Sequence, residues 1–179
     1  MTDTGNDESR ALDSLRRIVR VLRSAGDRAE RSAGVSGAQL FVLQQLASRP
    51  EQSVGDMMQS TLTSQSSVSE VVAKLVARRL VSRHRASDDA RRVVLALTAR
   101  GRAAAREAPA SPQRRLIGGL RKLSATQRRQ LATLLEAWLV AAGIDSIPAT
   151  MFLEVDETRS NARGPRTSPK RSKVRRVST

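Results

Sequence analysis

The sequence predicts a mainly α-helical protein with one small β-hairpin, and three observations lead to that fold class. Apolar residues recur every three or four positions through most of residues 9–145, which is the period of an amphipathic helix. Residues 80–97 break this period, because β-branched residues there flank a Ser-Asp-Asp turn, a pattern typical of a hairpin. Near the C-terminus the chain becomes polar and basic, so that segment cannot bury enough surface to fold alone.

Composition narrows the classes of partner. The 179 residues suit one domain with a tail or two small domains, and the absence of cysteine removes disulfides and thiolate metal sites. A net charge of +15 favours a polyanionic partner, with nucleic acid ahead of an anionic membrane surface. One Trp and two Phe are the only aromatic residues, which argues against single-strand binding by base stacking.

The first helix is predicted over about residues 9–31, where one apolar stripe runs along the segment. We therefore assign residues 1–8 to a disordered N-terminus and residues 9–35 to a dimerisation helix. The arginines of this segment lie mostly off the stripe and are interpreted as a solvated basic face.

Residues 36–97 predict helices followed by the hairpin. A capping box at Ser36–Gln39 begins one helix, Ser53 can cap a short second one, and a third with the clearest apolar stripe begins near Ser64. Strands are expected at 80–85 and 91–97. Helix, turn, helix and hairpin in this order predict a winged helix-turn-helix domain with the hairpin as its wing.

The second helix of such a pair enters the major groove of duplex DNA, and an arginine on the wing can meet a narrow minor groove. The candidate base-reading residues are Ser64, Gln65, Ser66, Ser67, Ser69 and Lys74. The candidate wing residues are Arg83, Arg85, Asp89, Arg91 and Arg92. The expected partner is therefore double-stranded DNA.

Residues 98–145 predict further helices, which we assign to dimerisation. Thr98 can cap the first of them, Pro109 and Pro112 should kink or split it, and Ser124 begins the last helix with a second capping box. One compact lobe cannot cover the wide apolar stripes of both the first and the last helix, so a homodimer is expected to bury them. The candidate dimer residues are Leu12, Leu15, Leu131, Leu135, Trp138 and Leu139.

Residues 146–179 are expected to form a basic disordered tail. Residues 159–179 hold eight basic residues and no acid, and the remaining 158 residues have a net charge of +7. The candidate residues for non-specific DNA contact are Lys170, Arg171, Lys173, Arg175 and Arg176. Counterion release favours a DNA clamp, while a linker without a role and a tether to an acidic partner remain the alternatives.

Three stretches resemble the MarR family (multiple-antibiotic-resistance regulators): VSGAQLFVLQQLASRP, SVGDMMQSTLTSQSSVSEVVAKLVARRLVSRH and SDDARRVVLALTARG. The last carries Asp89-Ala90-Arg91 and the Leu-Thr-x-x-Gly motif of Leu97–Gly101. The resemblance covers about residues 10–142. It implies a homodimer in which the first, fifth and sixth helices of both chains interleave, with Arg91 in the minor groove and Asp89 orienting an arginine of the wing.

Two positions depart from the family pattern, which usually has glycine there. Leu62 lies in the turn before the base-reading helix, and Arg79 lies just after that helix. Glycine adopts positive φ at little cost, whereas leucine and arginine do not. We therefore expect these turns to be rearranged or mildly strained.

The resulting hypothesis is a sequence-specific transcription regulator, acting as a repressor in the cytoplasm at the nucleoid, and a small-molecule effector is left open. The alternative is a nucleoid-type architectural protein that binds DNA through charge. No catalytic constellation, metal site, phosphate loop or cofactor motif is recognisable, so no enzyme activity, metal or cofactor is expected. No apolar run approaches the roughly 20 residues of a membrane span, and no membrane partner is expected. The lone histidine, His84, is interpreted as a surface residue.

Overall fold

The structure is a computed structural model that describes residues 4–87, 89–107 and 110–152. Its elements in chain order are α1 Thr4–Ala33, α2 Gly37–Ser48, α3 Val54–Thr61, α4 Gln65–Ala77, β1 Val81–Arg85, β2 Val93–Leu97, α5 Ala99–Glu107, α6 Pro112–Lys122 and α7 Ala125–Ala141. The predicted fold class, mainly helical with one hairpin, is confirmed.

Helix α1 begins earlier than the sequence predicted. Residues 4–8, assigned to a disordered N-terminus, are helical from Thr4 onward. Asp7 lies in the first turn, where a negative charge complements the helix dipole, and its carboxylate lies 2.7 Å from the Arg10 guanidinium. An ion pair at this i, i+3 spacing stabilises an exposed helix modestly. The prediction rested on the apolar stripe, which does not include this pair. Residues 1–3 lie outside the described part of the chain.

Helix α2 lies at the centre of the core. Ten of its twelve residues are buried, and the capping box at Ser36 and Gln39 begins it as predicted. The core residues around it include Ala29, Val35, Phe41, Leu43, Met57, Val68, Val71, Val72, Leu75, Val81, Leu95, Ala104 and Ala105. They come from α1 through α5 and the hairpin, so these elements form one closed lobe.

The turns on either side of α4 keep a left-handed residue without glycine. Leu62 ends α3 with φ of 54° and ψ of 42°, and Arg79 follows α4 with φ of 56°. The Leu80 N–H donates to the carbonyl of Leu75 at 2.9 Å and closes the end of α4. The sequence predicted that these turns would be either rearranged or strained. They are strained, because left-handed backbone costs a non-glycine residue roughly 1–2 kcal/mol.

The hairpin contacts the loop before α3. Strands β1 and β2 pair antiparallel, from Val81 opposite Leu97 to Arg85 opposite Val93. The Leu95 N–H also donates to the Gln52 carbonyl at 2.8 Å, a bridge that fixes the base of the wing to the helical lobe. Strand β2 begins two residues later than predicted, and the sequence pattern did not indicate the pairing with Gln52.

The Leu-Thr-x-x-Gly motif joins the wing to α5. The Thr98 hydroxyl donates to the Arg79 carbonyl at 2.9 Å and accepts from the Gly101 N–H at 3.0 Å. A Cβ at Gly101 would lie 2.0 Å from the carbonyl oxygen of Leu80, so only glycine fits there. The motif therefore fixes α5 against the end of α4.

The helix after the wing splits, as the two prolines predicted. Helix α5 ends at Glu107, and α6 begins at Pro112 with Ser111 as its N-cap. The side chain of Gln44 lies across this break, because its amide oxygen accepts from the Ser111 N–H at 2.7 Å. The buried glutamine therefore holds the start of α6 against α2.

The tail begins later than residue 146. Met151 is buried in the core, and the Gln113 side-chain amide donates to the carbonyl of Phe152. The chain is thus attached to the fold at Met151 and Phe152, whereas residues 146–150 are exposed. The tail candidates Lys170, Arg171, Lys173, Arg175 and Arg176 lie outside the described residues.

Two long helices leave apolar side chains uncovered. No residue of α7 is buried, and Leu135, Trp138 and Leu139 are each 42–45% exposed. On α1, Leu12 and Leu15 are 40% and 42% exposed, whereas Leu131 is partly buried. None of the helices in the described residues has the length and apolarity needed to cross a membrane.

Candidate nucleic-acid interface

Helix α4 presents one polar face because its other face is anchored in the core. Val68, Val71, Val72 and Leu75 are each at most 1% exposed. The opposite side, toward the N-terminal end, exposes Gln65 and Ser66 and leaves Ser69 half-buried. These positions suit a helix whose N-terminal residues approach base edges.

The serines at the start of α4 divide into two roles. Ser64 is the N-cap, and its hydroxyl accepts from the Ser67 N–H at 3.3 Å. Ser67 is 7% exposed, and its hydroxyl lies 2.9 Å from that of Ser64. Ser67 was predicted to contact DNA, but its burial makes it a structural residue. Ser66 stays exposed, with its hydroxyl 3.0 Å from the Ser64 hydroxyl.

Lys74 lies one turn after the exposed face of α4 and is half-buried. Its ammonium forms an i, i+4 ion pair with Glu70 at 2.9 Å. Because such pairs on a helix surface are weak, the ammonium can exchange a carboxylate partner for a phosphate. Contact between Lys74 and DNA stays a prediction, and in the structure its ammonium is paired with Glu70.

The wing exposes a set of arginines. Arg83 and Arg85 lie on β1 and Arg91 lies in the turn before β2, all solvent-exposed. The Asp89 carboxylate accepts from the backbone N–H of Arg91 at 2.9 Å. Asp89 therefore fixes the backbone from which the Arg91 side chain leaves the wing.

Arg92 contacts the helical lobe rather than extending from the wing tip. Its guanidinium lies 3.9 Å from the carboxylate of Asp56 on α3. Hydrogen bonds from Ser53, with a smaller contribution from Arg92, hold the pKa of Asp56 below its usual value. Arg92 was predicted to contact DNA, and that contact stays a prediction; the neighbouring Asp56 is distant in sequence, so no local pattern indicated this ion pair.

His84 forms a second contact between the wing and the lobe. Its Nε2 lies 3.6 Å from the carboxylate of Glu51, which has φ of 57° in the loop between α2 and α3. The histidine is exposed, in agreement with its interpretation as a surface residue. Together with Arg92, it forms a weak surface contact between the wing and the lobe.

Two cavities lie between the lobe and the last helices. One, of about 210 Å³, is lined by Phe41, Gln45, Arg49, Ser60, Arg114, Ile117, Gly118 and Arg121. The other, of about 600 Å³, is mostly apolar and lined by Leu62, Leu120, Arg121, Arg128, Leu131, Ala132 and Leu135. The lining of the first includes three arginines and no carboxylate. The sequence did not reveal either cavity.

Metal-ligating side chains do not converge within the described part of the chain. No group of three or more His, Asp or Glu residues there is placed to hold a metal ion. The exposed polar chemistry is concentrated instead on α4 and the wing. A core-anchored helix with an exposed polar face, followed by a basic wing, defines the winged helix-turn-helix class of DNA-binding fold.

Residues 33–92, from the end of α1 to the wing, match the model of the MarR family, which confirms the family resemblance. One solved MarR family transcription regulator has a TM-score of 0.53 at 18% identity and covers 82% of this chain and 99% of its own. The transcriptional regulator BldR from Sulfolobus solfataricus has a TM-score of 0.49 at 21% identity and covers 77% and 98%. No curated protein matches the chain. The chain thus has the fold of MarR family transcription regulators.

Proposed function

We propose that the protein is a sequence-specific regulator that binds double-stranded DNA as a homodimer and represses transcription by occupying its operator. The observation that supports this most directly is the position of Gln65 and Ser66. They are exposed at the N-terminal end of α4, on a helix whose opposite face is fixed in the core. A rigid helix with short polar side chains at this end can enter the major groove and read base edges.

The wing would add backbone and minor-groove contacts. Arg83, Arg85 and Arg91 are exposed cations on one hairpin, and the hairpin is held to the lobe through Gln52, His84 and Arg92. Phosphate contacts position a protein without specifying sequence. Within the folded region, we therefore assign specificity to α4 and the larger part of the salt dependence to the wing.

Selection from random duplexes tests the central proposal. The full chain should enrich one palindromic site, and Gln65→Ala or Ser66→Ala should weaken that site more than random DNA, because base contacts carry the specificity. Ser14→Ala, on the exposed side of α1, is the matched control and should change neither affinity. Equal losses on both DNAs would count against direct readout by α4.

The wing has its own test. Arg91→Ala should weaken binding to the selected site and reduce the salt slope by about one or two phosphate equivalents per dimer. Arg28→Ala, an exposed arginine on α1, removes the same charge and should leave the slope unchanged. An unaltered slope in Arg91→Ala would remove the wing tip from the interface.

The tail is proposed to bind DNA without sequence preference. Its eight basic residues can follow phosphates without a folded scaffold. Deleting residues 159–179 should weaken the selected and random duplexes by similar factors and flatten the salt dependence. An identical slope for both proteins would instead favour a linker or a tether to an acidic partner.

A small anion is proposed as the effector. Arg49, Arg114 and Arg121 line the 210 Å³ cavity between α2, α3 and α6, and guanidinium groups bind carboxylates in bidentate fashion. Calorimetry with benzoate and phosphate tests the site. Arg114→Gln with Arg121→Gln should abolish uptake, while Arg115→Gln, outside the lining, should not. Binding that is unaffected by the double variant would place the effector elsewhere.

The high charge alone supports a second function, a nucleoid-type architectural protein that coats DNA. The polar face of α4 argues against it, because non-specific coating does not require base-reading side chains. Footprinting at moderate salt distinguishes the two functions. One protected palindrome supports the regulator, and continuous coverage supports the architectural protein. Either function would place the protein with the chromosome in the cytoplasm.

A further inference from the structure

The junction between the first dimerisation helix and the lobe is a single glycine hinge. Helix α1 ends at Ala33, Gly34 follows with φ of 61°, and Val35 is already in the core. Left-handed backbone at a helix end changes the chain direction within one residue. Gly34 therefore sets the direction of the chain between α1 and α2, while Leu22 and Ala29 pack the C-terminal half of α1 on the lobe.

The side chain of Arg78 contacts this hinge from the end of α4. Arg78 is the C-cap of α4, 44 residues later in the chain. Its guanidinium donates to the Gly34 carbonyl at 2.7 Å and to the Gln39 amide oxygen at 2.8 Å. The end of α4 is thus joined directly to the end of α1 and the first turn of α2.

Gln39 makes this contact rigid. Its amide oxygen also accepts from the Ser36 N–H at 3.2 Å, while its own N–H donates to the Ser36 hydroxyl. The side chain is 9% exposed, so the capping box holds the oxygen in place before Arg78 binds it. A planar guanidinium bonded to two fixed acceptors has little freedom to rotate.

We propose that Arg78 is a positioning residue that holds the Gly34 hinge and so sets the angle between the dimerisation helix α1 and the base-reading helix α4. In a twofold dimer built on α1 and α7, that angle determines how far apart the two α4 helices lie. Half-sites on DNA are about one helical turn apart, so the angle becomes a choice of operator spacing. This last consequence rests on the proposed function, whereas the effect on the hinge does not.

A distance measurement within one chain tests the hinge without DNA and without assuming a dimer. The chain has no cysteine, so Ser14→Cys on α1 and Ser66→Cys on α4 introduce the only two labelling sites. Spin-labelled chains are diluted into an excess of unlabelled chains, and pulsed electron paramagnetic resonance then reports the α1 to α4 distance alone. With Arg78 present, we expect one narrow distribution.

Arg78→Met keeps the apolar stem and removes the donors. Its distance distribution should widen or shift by at least about 3 Å, the rise of one base pair. Arg79→Met is the matched control, because it removes the same charge at the adjacent exposed position and keeps a non-glycine residue there. Arg78→Lys, which keeps the charge but lacks the planar fork of donors, should give an intermediate width.

Coupling between Arg78 and Gln39 is the second measurement. If the two side chains act through one contact, Gln39→Met should widen the distribution, and Arg78→Met added to it should widen it little further. Additive widening, or a distribution for Arg78→Met that matches the parent as closely as the Arg79→Met control does, would overturn the proposal. Circular dichroism of each variant confirms that the lobe is folded, since the valine face of α4 does not depend on Arg78.

Operator spacing gives the functional readout. Duplexes carrying the selected half-sites with one base pair inserted or removed should be rejected by the parent chain and tolerated by Arg78→Met. If Arg78 merely contacted phosphate, the variant would instead lose affinity equally for every spacing and show a lower salt slope. That result would overturn the positioning role even if the distance distribution changed. Absence of any sequence-specific binding by the parent would refute the regulator and leave the hinge measurement standing.

Discussion

Helices α2 and α7 begin with the same Ser-x-x-Gln capping box, yet they have opposite environments. In α2, ten of twelve residues are buried. In α7, none of seventeen is buried, and Leu135, Trp138 and Leu139 remain at least 42% exposed. Local sequence rules specify each helix equally well, so the difference comes from what packs against it.

This contrast divides the chain into a lobe whose apolar side chains are covered within one chain and two helices, α1 and α7, whose apolar stripes are not. The lobe covers α2 with α1, α4, α5 and β2, whereas α1 and α7 leave long apolar stripes facing solvent. Exposed apolar surface of this length is unusual for a monomer and marks an interaction site. A second copy, related by a twofold axis, would present the same stripes and could cover them.

The strongest test of this contrast is charge placed on the α7 stripe. Leu135→Asp with Leu139→Asp should weaken self-association by more than about 4 kcal/mol, or a thousandfold, because a twofold interface would then bury four unpaired carboxylates. Sedimentation should show monomers or unfolded chain, while Gln130→Asp, an exposed polar position of α7, should leave the dimer intact. An unchanged dimer in the double variant would place the interface elsewhere.

The stability of the lobe is expected to be most sensitive to substitution where two backbone segments are in contact. Gly101→Ala should destabilise it by about 3 kcal/mol or more, since the new Cβ would lie 2.0 Å from the Leu80 carbonyl oxygen, which belongs to the backbone and cannot move aside cheaply. Chemical denaturation measures the loss. A variant as stable as the parent would show that the approach of α5 to the end of α4 is looser than the structure indicates.

Relief of the backbone strain at the end of α4 should raise the stability of the lobe. Arg79→Gly should stabilise the lobe by about 1 kcal/mol, because glycine adopts the positive φ of 56° without a Cβ clash. Arg79→Ala keeps the clash, loses the same side chain and should show no gain. If both variants behave alike, the side chain rather than the backbone conformation decides the stability at this position.

The smallest effect is expected for a substitution on the exposed surface of α6. Nothing lies within 4 Å of a Cβ built at Gly119 in α6, so Gly119→Ala should raise stability by about 0.5 kcal/mol through helix propensity. Thermal denaturation at several protein concentrations measures it. A loss of stability that grows on dilution would instead show that a partner helix packs directly on this glycine.

Sequence patterns predicted the fold order, the capping boxes, the split after α5 and the exposed face of α4, because each depends on neighbours within a few residues. They predicted less well which polar side chains remain exposed without contacts to other elements of the lobe. Ser67 became buried under the cap of α4, and Arg92 extends to Asp56 across the lobe. Both outcomes depend on elements brought together by folding.

The sequence by itself determined the class of this protein: helical periods, turn residues and charge are local properties, and together they predict a winged helix with a polyanionic partner. The tertiary structure alone decided which faces of the helices are buried and which side chains of the wing contact the lobe. It also decided that Arg78 bonds both Gly34 and Gln39. Those features join residues tens of positions apart. Their partners are chosen by the packing of the core, and no local pattern in the chain encodes that choice.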